Sequence, residues 1–237
     1  MPKSEVYNMD CMELMRSLPD KFFDLAIADP PYGSDNSAQL NGGGKFLENS
    51  TQQIQCSRTG GTWAAKFGRG IKSWDVAPTQ DFFDELARVS KNQVIWGANY
   101  FPNMPPTRCF LVWKKLTISE KFTMAMAEYA WTSFNSNAKL FEAAPQDPTG
   151  KRFHPTAKPV SLYGWTMRML SKEGQTIFDP MMGSQSSRIA AYKMGLDYTG
   201  CEIDIDYYNK GNERFLRECM GEEIQADGKK VTQLTLF

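Results

Sequence analysis

The chain is poor in the residues from which metal centres, disulfide frameworks and charge-driven binding surfaces are built. It has one histidine, His154, and five cysteines, at 11, 56, 109, 201 and 219, scattered and never spaced as CxxC. Neither a zinc site nor a disulfide framework can be read from that spacing, and no metal is expected. No stretch reaches the roughly 18 consecutive apolar residues of a membrane span, and MPKSEVYN at the start has no apolar core of signal-peptide kind. A soluble cytoplasmic protein without a membrane partner is therefore expected. Net charge is also missing, because 27 Lys and Arg offset 27 Asp and Glu. That argues against a protein that coats nucleic acid through a uniformly basic surface. Any basic surface has to be local. Between Ser34 and Ser73, Lys45, Arg58, Lys66, Arg69 and Lys72 stand against only Asp35 and Glu48.

What is present fits one α/β domain with an elaboration. The 237 residues, 41% hydrophobic and 23% charged, can bury a core of their own but not two full-sized ones. Short apolar, β-branched or aromatic runs alternate with amphipathic stretches, as in a sheet with helices on its faces. Seven strands are expected, near Val6–Asn8, Asp24–Ala28, Gln93–Trp96, Cys109–Trp113, Glu128–Phe134, Thr176–Phe178 and Tyr198–Cys201. Helical spacing marks Met12–Ser17, Thr79–Ser90, Val160–Ser171, Ser184–Met194 and Asp206–Cys219. Leu116–Met126 fits a hairpin extension or a helix. Ser34–Ser73 and Asn135–Phe153 carry neither periodicity, and an irregular stretch of about 40 residues in a compact domain is usually functional or disordered. There is no internal repeat.

Three segments carry candidate chemistry. FDLAIADPPYG reads as a buried strand that stops at two prolines, so Asp29, Pro30, Pro31 and Tyr32 form a stiff loop at its carboxyl end, where open α/β sheets bind ligands. The same string is also ordinary turn chemistry. Further on, Thr176–Phe178 runs into Asp179-Pro180-Met181-Met182-Gly183-Ser184 and then a helix, a strand, loop and helix start of the kind that cradles a nucleoside. Glu202 closes the next strand about twenty residues later, where a carboxylate meets ribose hydroxyls. Asp10, beside Cys11, suits either a ligand amine or the cap of the first helix. In HPTAKPVSL, Thr156 and Lys158 are the better ligand-binding candidates, with His154 a packing residue.

Together these segments resemble the β group of DNA amino-methyltransferases, in which the catalytic segment precedes the cofactor loop. The resemblance covers most of Val6 to Arg217, including NQVIWGANYF at 92–101 and AWTSF at 130–134. It implies a Rossmann-like, S-adenosylmethionine-dependent methyltransferase fold: a seven-stranded, mostly parallel sheet with helices on both faces and a circularly permuted motif order. It also implies an adenine-N6 enzyme acting on double-stranded DNA in a bacterial or phage-infected cell, because Asp rather than Ser opens the DPPYG motif. On that resemblance Asp29 and the Pro30 carbonyl take the two amine hydrogens of an extruded adenine and Tyr32 stacks on it. Asp10, Cys11, Asp29, Thr156, Lys158, Asp179, Pro180, Met181, Gly183, Ser184 and Glu202 would meet the cofactor. The usual family forms are HPTEKP and DPFxGSGTT. Met181 and Gln185 depart from the second, which implies a stiffer loop and a differently shaped wall.

Residues 1–220 are thus expected to form the methyltransferase domain, with a short variable region at 135–153. That region is too small to read much DNA, so the loop at 34–73 is expected to share the task through Arg58, Lys66, Arg69 and Lys72. Residues 221–237 read as a polar tail. Its end, with Gln233, Leu234, Leu236 and Phe237, resembles the QLxLF peptide that docks on bacterial sliding clamps, and a strand packed on its own domain is the other reading. Homodimers are common in the family. Alternative activities are cytosine-N4 or RNA methylation, or a catalytically impaired, clamp-tethered module.

Overall fold

The computed structural model describes residues 1–33, 76–119, 125–145, 153–224 and 230–232. In chain order the elements are β1 (Ser4–Tyr7), α1 (Cys11–Ser17), β2 (Phe23–Ala28), α2 (Gln80–Val89), β3 (Ser90–Trp96), a 3₁₀ turn (Ala98–Tyr100), β4 (Phe110–Lys115), β5 (Ala127–Thr132) and β6 (Lys139–Ala143). They continue with α3 (Val160–Leu170), β7 (Thr176–Asp179), α4 (Ser186–Lys193), β8 (Asp197–Cys201), α5 (Ile205–Phe215), a π turn (Leu216–Met220), β9 (Glu222–Ile224) and β10 (Lys230–Thr232). The chain divides into two compact units, one of Met1–Ala28, Asp84–Val94 and Gln146–Phe237, the other of Asp29–Phe83 and Ile95–Pro145.

In the first unit β1, β8, β7 and β2 pair side by side, all parallel, with Val6 opposite Gly200, Ile177 opposite Tyr198 and Leu25 opposite Ile177. A parallel strand covered on both faces needs an unbroken apolar run. FDLAIA supplies it, and Leu25, Ala26, Ile27 and Ala28 are all buried. Asp24 pins the heads of two strands: its Oδ2 accepts from the Thr176 amide at 2.9 Å and its Oδ1 pairs with Lys91 at 2.7 Å. Burial alone would raise its carboxyl, but the Lys91 and Thr176 hydrogen bonds outweigh burial and lower its pKa. Arg88 ties down the end of α1 by donating to the carbonyls of Met15 and Leu18 at 2.7 and 2.9 Å, the Met15 carbonyl also accepting from the capping Leu18 amide at 3.1 Å.

In the second unit β4 lies between β5 and β6, antiparallel to the first (Phe110 opposite Trp131) and parallel to the second (Val112 opposite Leu140). Leu111, Trp113 and Ala130 form its core. Lys115 is buried there and pairs with Glu128 at 2.5 Å.

The seven expected strands are all present, but β6, β9 and β10 are not among them. KLFEA alternates between half-covered and exposed positions over five residues, too weak a pattern to stand out from the irregular run around it. The expected polar tail at 221–237 likewise begins as an antiparallel β9/β10 pair. Among the described residues no helix is long and apolar enough to cross a membrane.

Candidate active site

The loop after β2 belongs to the second unit. Its two prolines fix φ and remove two backbone donors, leaving Asp29 and Tyr32 on a stiff segment. The Tyr32 hydroxyl donates to Asp29 Oδ1 at 3.1 Å. Burial first, then the Asp29 charge, push the phenol well above its ordinary pKa, so it stays a donor. The ring stacks on Tyr100 with centroids 4.5 Å apart and planes 20° apart, and Phe101 meets it edge-on at 6.3 Å.

Gly97 fits this arrangement for two reasons. Its φ of 68° lies in the left-handed region, and a Cβ there would fall 2.1 Å from Tyr32 Cε1. Only glycine meets both conditions without strain. The Gly97 N–H donates to the Tyr129 carbonyl at 2.8 Å and its carbonyl accepts from the Tyr100 amide at 2.9 Å. Beside it lies a recess of about 140 Å³, lined by Gly97, Asn99, Tyr100, Val112, Ala127, Glu128 and Tyr129. That is small against the roughly 300–1,000 Å³ of drug-sized pockets.

The second group lies in the first unit, where β7 ends at Asp179 and a loop leads into α4. Asp179 is buried and builds the loop, its Oδ1 accepting from the Met181 amide at 3.0 Å and its Oδ2 from the Ser187 hydroxyl. Gly183, at φ 44°, donates its N–H to Glu202 Oε2 at 2.9 Å, and Glu202 Oε1 accepts from the Asp204 amide at 2.9 Å. Glu202 is 8% exposed. Burial raises its pKa in spite of the two amides. A carboxylate offers about four lone-pair sites, so it can latch this loop and still accept from hydroxyl groups. Pro180 and Ser184 are buried and Met181 is half-buried.

His154 packs against this loop. Its Nε2 lies 3.0 Å from where a Gly183 Cβ would stand, its ring meets Tyr207 at 4.4 Å, and its Nδ1 is 3.4 Å from Thr156 Oγ1. Thr156 is exposed, whereas Lys158 is buried at 5% exposure. Asp10 caps α1, its Oδ1 accepting from the Met12 amide at 2.8 Å. The adjacent Cys11 is buried, and desolvation foremost, with Asp10 next, pushes its thiol up to about 12. A protonated thiol of that kind is no nucleophile.

Gln185 stands where the usual family form has glycine. It keeps the glycine conformation, φ 58°, and its side chain runs to α5. Nε2 donates to the Tyr208 carbonyl at 3.2 Å, and Oε1 accepts from Arg188, which also donates to Asn212 Oδ1 at 2.6 Å. Room exists because Gly211 has no side chain: a Cβ there would lie 2.5 Å from Gln185 Nε2. The sequence holds no local signal for this pairing. Nor does the sequence single out Gly97 and Tyr100, which lie within the mostly apolar run WGANYF. The basic candidates Arg58, Lys66, Arg69 and Lys72, and the tail residues Gln233, Leu234, Leu236 and Phe237, lie outside the described residues.

Residues 95–213 match the DNA methylase family. The type II methyltransferase M.HinfI of Haemophilus influenzae is 25% identical over 241 residues, spanning 88% of this chain and 67% of that protein. Among solved structures, the complex of M1.HpyAVI with SAM aligns at TM-score 0.50 with 17% identity, over 89% of this chain and 98% of its own. The PvuII DNA methyltransferase, cytosine-N4-specific, aligns at TM-score 0.53 with 13% identity, over 94% and 95%. The two structural likenesses are of fold: an α/β methyltransferase architecture with a mixed sheet.

Proposed function

The chain belongs to the N6/N4 DNA methylase family, and from that footing we propose that it methylates N6 of an extruded adenine in DNA, with S-adenosylmethionine as the donor. The coarser activity, S-adenosylmethionine-dependent DNA methylation, comes with the family. The observation that carries the finer reading is the Asp29–Tyr32 pair, a carboxylate and an aromatic ring fixed together on a proline-stiffened loop. An exocyclic amine has its lone pair drawn into the ring, so it attacks only when its hydrogens are held by acceptors. The Asp29 carboxylate takes one hydrogen and the Pro30 carbonyl the other. Pro31 stiffens the segment and Tyr32 stacks on the base.

The loop from Asp179 to Ser184 suits the cofactor, because Gly183 leaves its edge without a Cβ and Glu202 keeps acceptor capacity beside it. Glu202 takes the ribose hydroxyls, Asp10 the adenine amine, and Thr156 and Lys158 the amino-acid end, with Cys11, Pro180, Met181 and Ser184 around it. Bound there, S-adenosylmethionine supplies a sulfonium-activated methyl group, and the protein's task is alignment. Adenine is favoured over cytosine because Asp29, not serine, opens the motif. Arg58, Lys66, Arg69 and Lys72 contact the DNA, and Gln233, Leu234, Leu236 and Phe237 dock on a sliding clamp. A homodimer accords with the family's habit.

The test is incubation with labelled S-adenosylmethionine and unmethylated DNA. Label recovered in N6-methyladenine and abolished by Asp29→Ala is expected. Label in cytosine overturns the choice of base, and label in RNA alone overturns the substrate. Removing residues 34–73 should abolish DNA binding while leaving cofactor affinity unchanged; unchanged DNA affinity would refute the role of that loop. Removing the last five residues should end co-elution with clamp.

A further inference from the structure

The ring expected to stack on the target base already has a partner. Tyr100 lies on Tyr32 at 4.5 Å with the planes only 20° apart, the geometry of a base on an aromatic side chain. A base sandwiched between the two would need roughly two contact layers of 3.5–4 Å, about 7 Å in all, which the observed spacing does not give. The rest of Tyr32 is bounded as well: its Cε1, Cζ and hydroxyl edge fills the place where a Gly97 Cβ would stand, and Phe101 meets it edge-on.

We propose that Tyr100 occupies the seat of the target base on Tyr32 and that the extruded base takes this face by displacing it. The inference rests on the reading of Tyr32 as the stacking residue. Tyr100 is placed for such an exchange. It ends a single 3₁₀ turn, held by the bond from its amide to the Gly97 carbonyl at 2.9 Å and hinged on Gly97 in the left-handed conformation. Its side chain is partly exposed, and it lines the recess bounded by Val112, Ala127, Glu128 and Tyr129. That recess gives the ring a place to go without unfolding β4 or β5. Tyr100 is thus a positioning residue: it keeps Tyr32 flat and its hydroxyl on Asp29 while no base is present, and it sets a threshold that a base must exceed to be seated.

The sign of one binding measurement decides the matter. Once the methylated sequence is mapped on DNA modified by the wild-type protein, anisotropy gives the affinity for a duplex carrying that site and for the same duplex with the target base removed. A competitor worth one aromatic stack, about 0.5–1.5 kcal/mol, means that Tyr100→Ala binds the base-bearing duplex about twofold to tenfold tighter. Its affinity for the abasic duplex stays unchanged. Tyr100→Phe, which keeps the stack, behaves as wild type on both. Weaker or equal binding of the base-bearing duplex by Tyr100→Ala refutes the exchange and makes Tyr100 a buttress. Equal tightening on both duplexes refutes it too, since the gain would not pass through the base. If wild-type protein methylates no DNA, the functional reading fails and this inference with it. With methylation intact and the sign reversed, only the inference fails.

Discussion

Replacing Gly97 by alanine should disable the Asp29–Tyr32 pair while leaving the fold in place. The added methyl would lie 2.1 Å from Tyr32 Cε1, 2.4 Å from Cζ and 2.8 Å from the hydroxyl oxygen, against ordinary contact distances of about 3.5–4.0 Å. These atoms belong to one rigid phenol group, so relief comes only by moving the whole ring by more than an ångström. Alanine at φ 68° adds about 1–2 kcal/mol of left-handed strain, and losing the Tyr32–Tyr100 stack adds about 0.5–1.5 kcal/mol. The sum, roughly 1.5–3.5 kcal/mol, is below the roughly 5–15 kcal/mol that holds a domain together. For a chain of this size it lowers Tm by roughly 3–14 °C. Activity suffers more, because a misplacement of about 1 Å costs on the order of a hundredfold in rate. The assay is thermal unfolding beside initial rates of label transfer to DNA, with calorimetric titration of S-adenosylmethionine as control. Expected are a folded variant, a rate about a hundredfold lower and cofactor affinity within twofold of wild type. A rate within threefold of wild type would refute the assignment of Tyr32 to the site. So would a loss confined to cofactor affinity.

Three further outcomes are expected. Gly211→Ala should destabilise by about 1–3 kcal/mol through overpacking on Gln185, and adding Gln185→Gly should recover most of that in denaturant titrations; additive losses would show that the two side chains do not compete. Because the folded-state pKa of Asp24 is lowered, its contribution is fully present above the unfolded carboxylate range and is lost as pH falls through the folded value. Asp24→Asn should therefore flatten the acid limb of the stability curve, and an unchanged slope below about pH 5 would refute the assignment. Cys11 and Cys201 are buried with thiol pKa values raised chiefly by desolvation, Cys11 to about 12. Mass mapping after native alkylation at neutral pH should leave both unmodified, and labelling that matches the unfolded rate contradicts their burial.

Much of this molecule is legible in its sequence, and the parts that are not have a common cause. β2 and β7 announce themselves because parallel strands buried on both faces need continuous apolar runs, and the prolines after β2 set apart the loop proposed to be catalytic. Asp179, Gly183 and Glu202 are individually legible, because a strand-end loop with a close backbone approach and an acid closing the next strand each call for that residue type, whereas their contact is not. β6 was hidden by its short, half-exposed pattern. Asp10 stood as either ligand or cap, and the structure adds the cap without removing the ligand role. What no local string contains is the meeting of distant residues: Tyr32 with Gly97 and Tyr100, Glu202 with the Gly183 amide, and Gln185 with Gly211. Each depends on two segments folding to the same place, and two of them, Tyr32 with Gly97 and Gln185 with Gly211, pair a large group with the space left by a small one.

The last of those pairs constrains how this loop can change over generations. A side chain at 211 would crowd Gln185 at a cost of about 1–3 kcal/mol, so glutamine at 185 is better accepted after glycine at 211 than before it. Glycine at 211 arriving first avoids that cost, and once the glutamine's bonds to Tyr208 and Arg188 are in place a reversion at 211 incurs it. The coupling predicts that sequences carrying glutamine after the Gly-Ser of this loop carry glycine about two turns into α5, and the reverse need not hold.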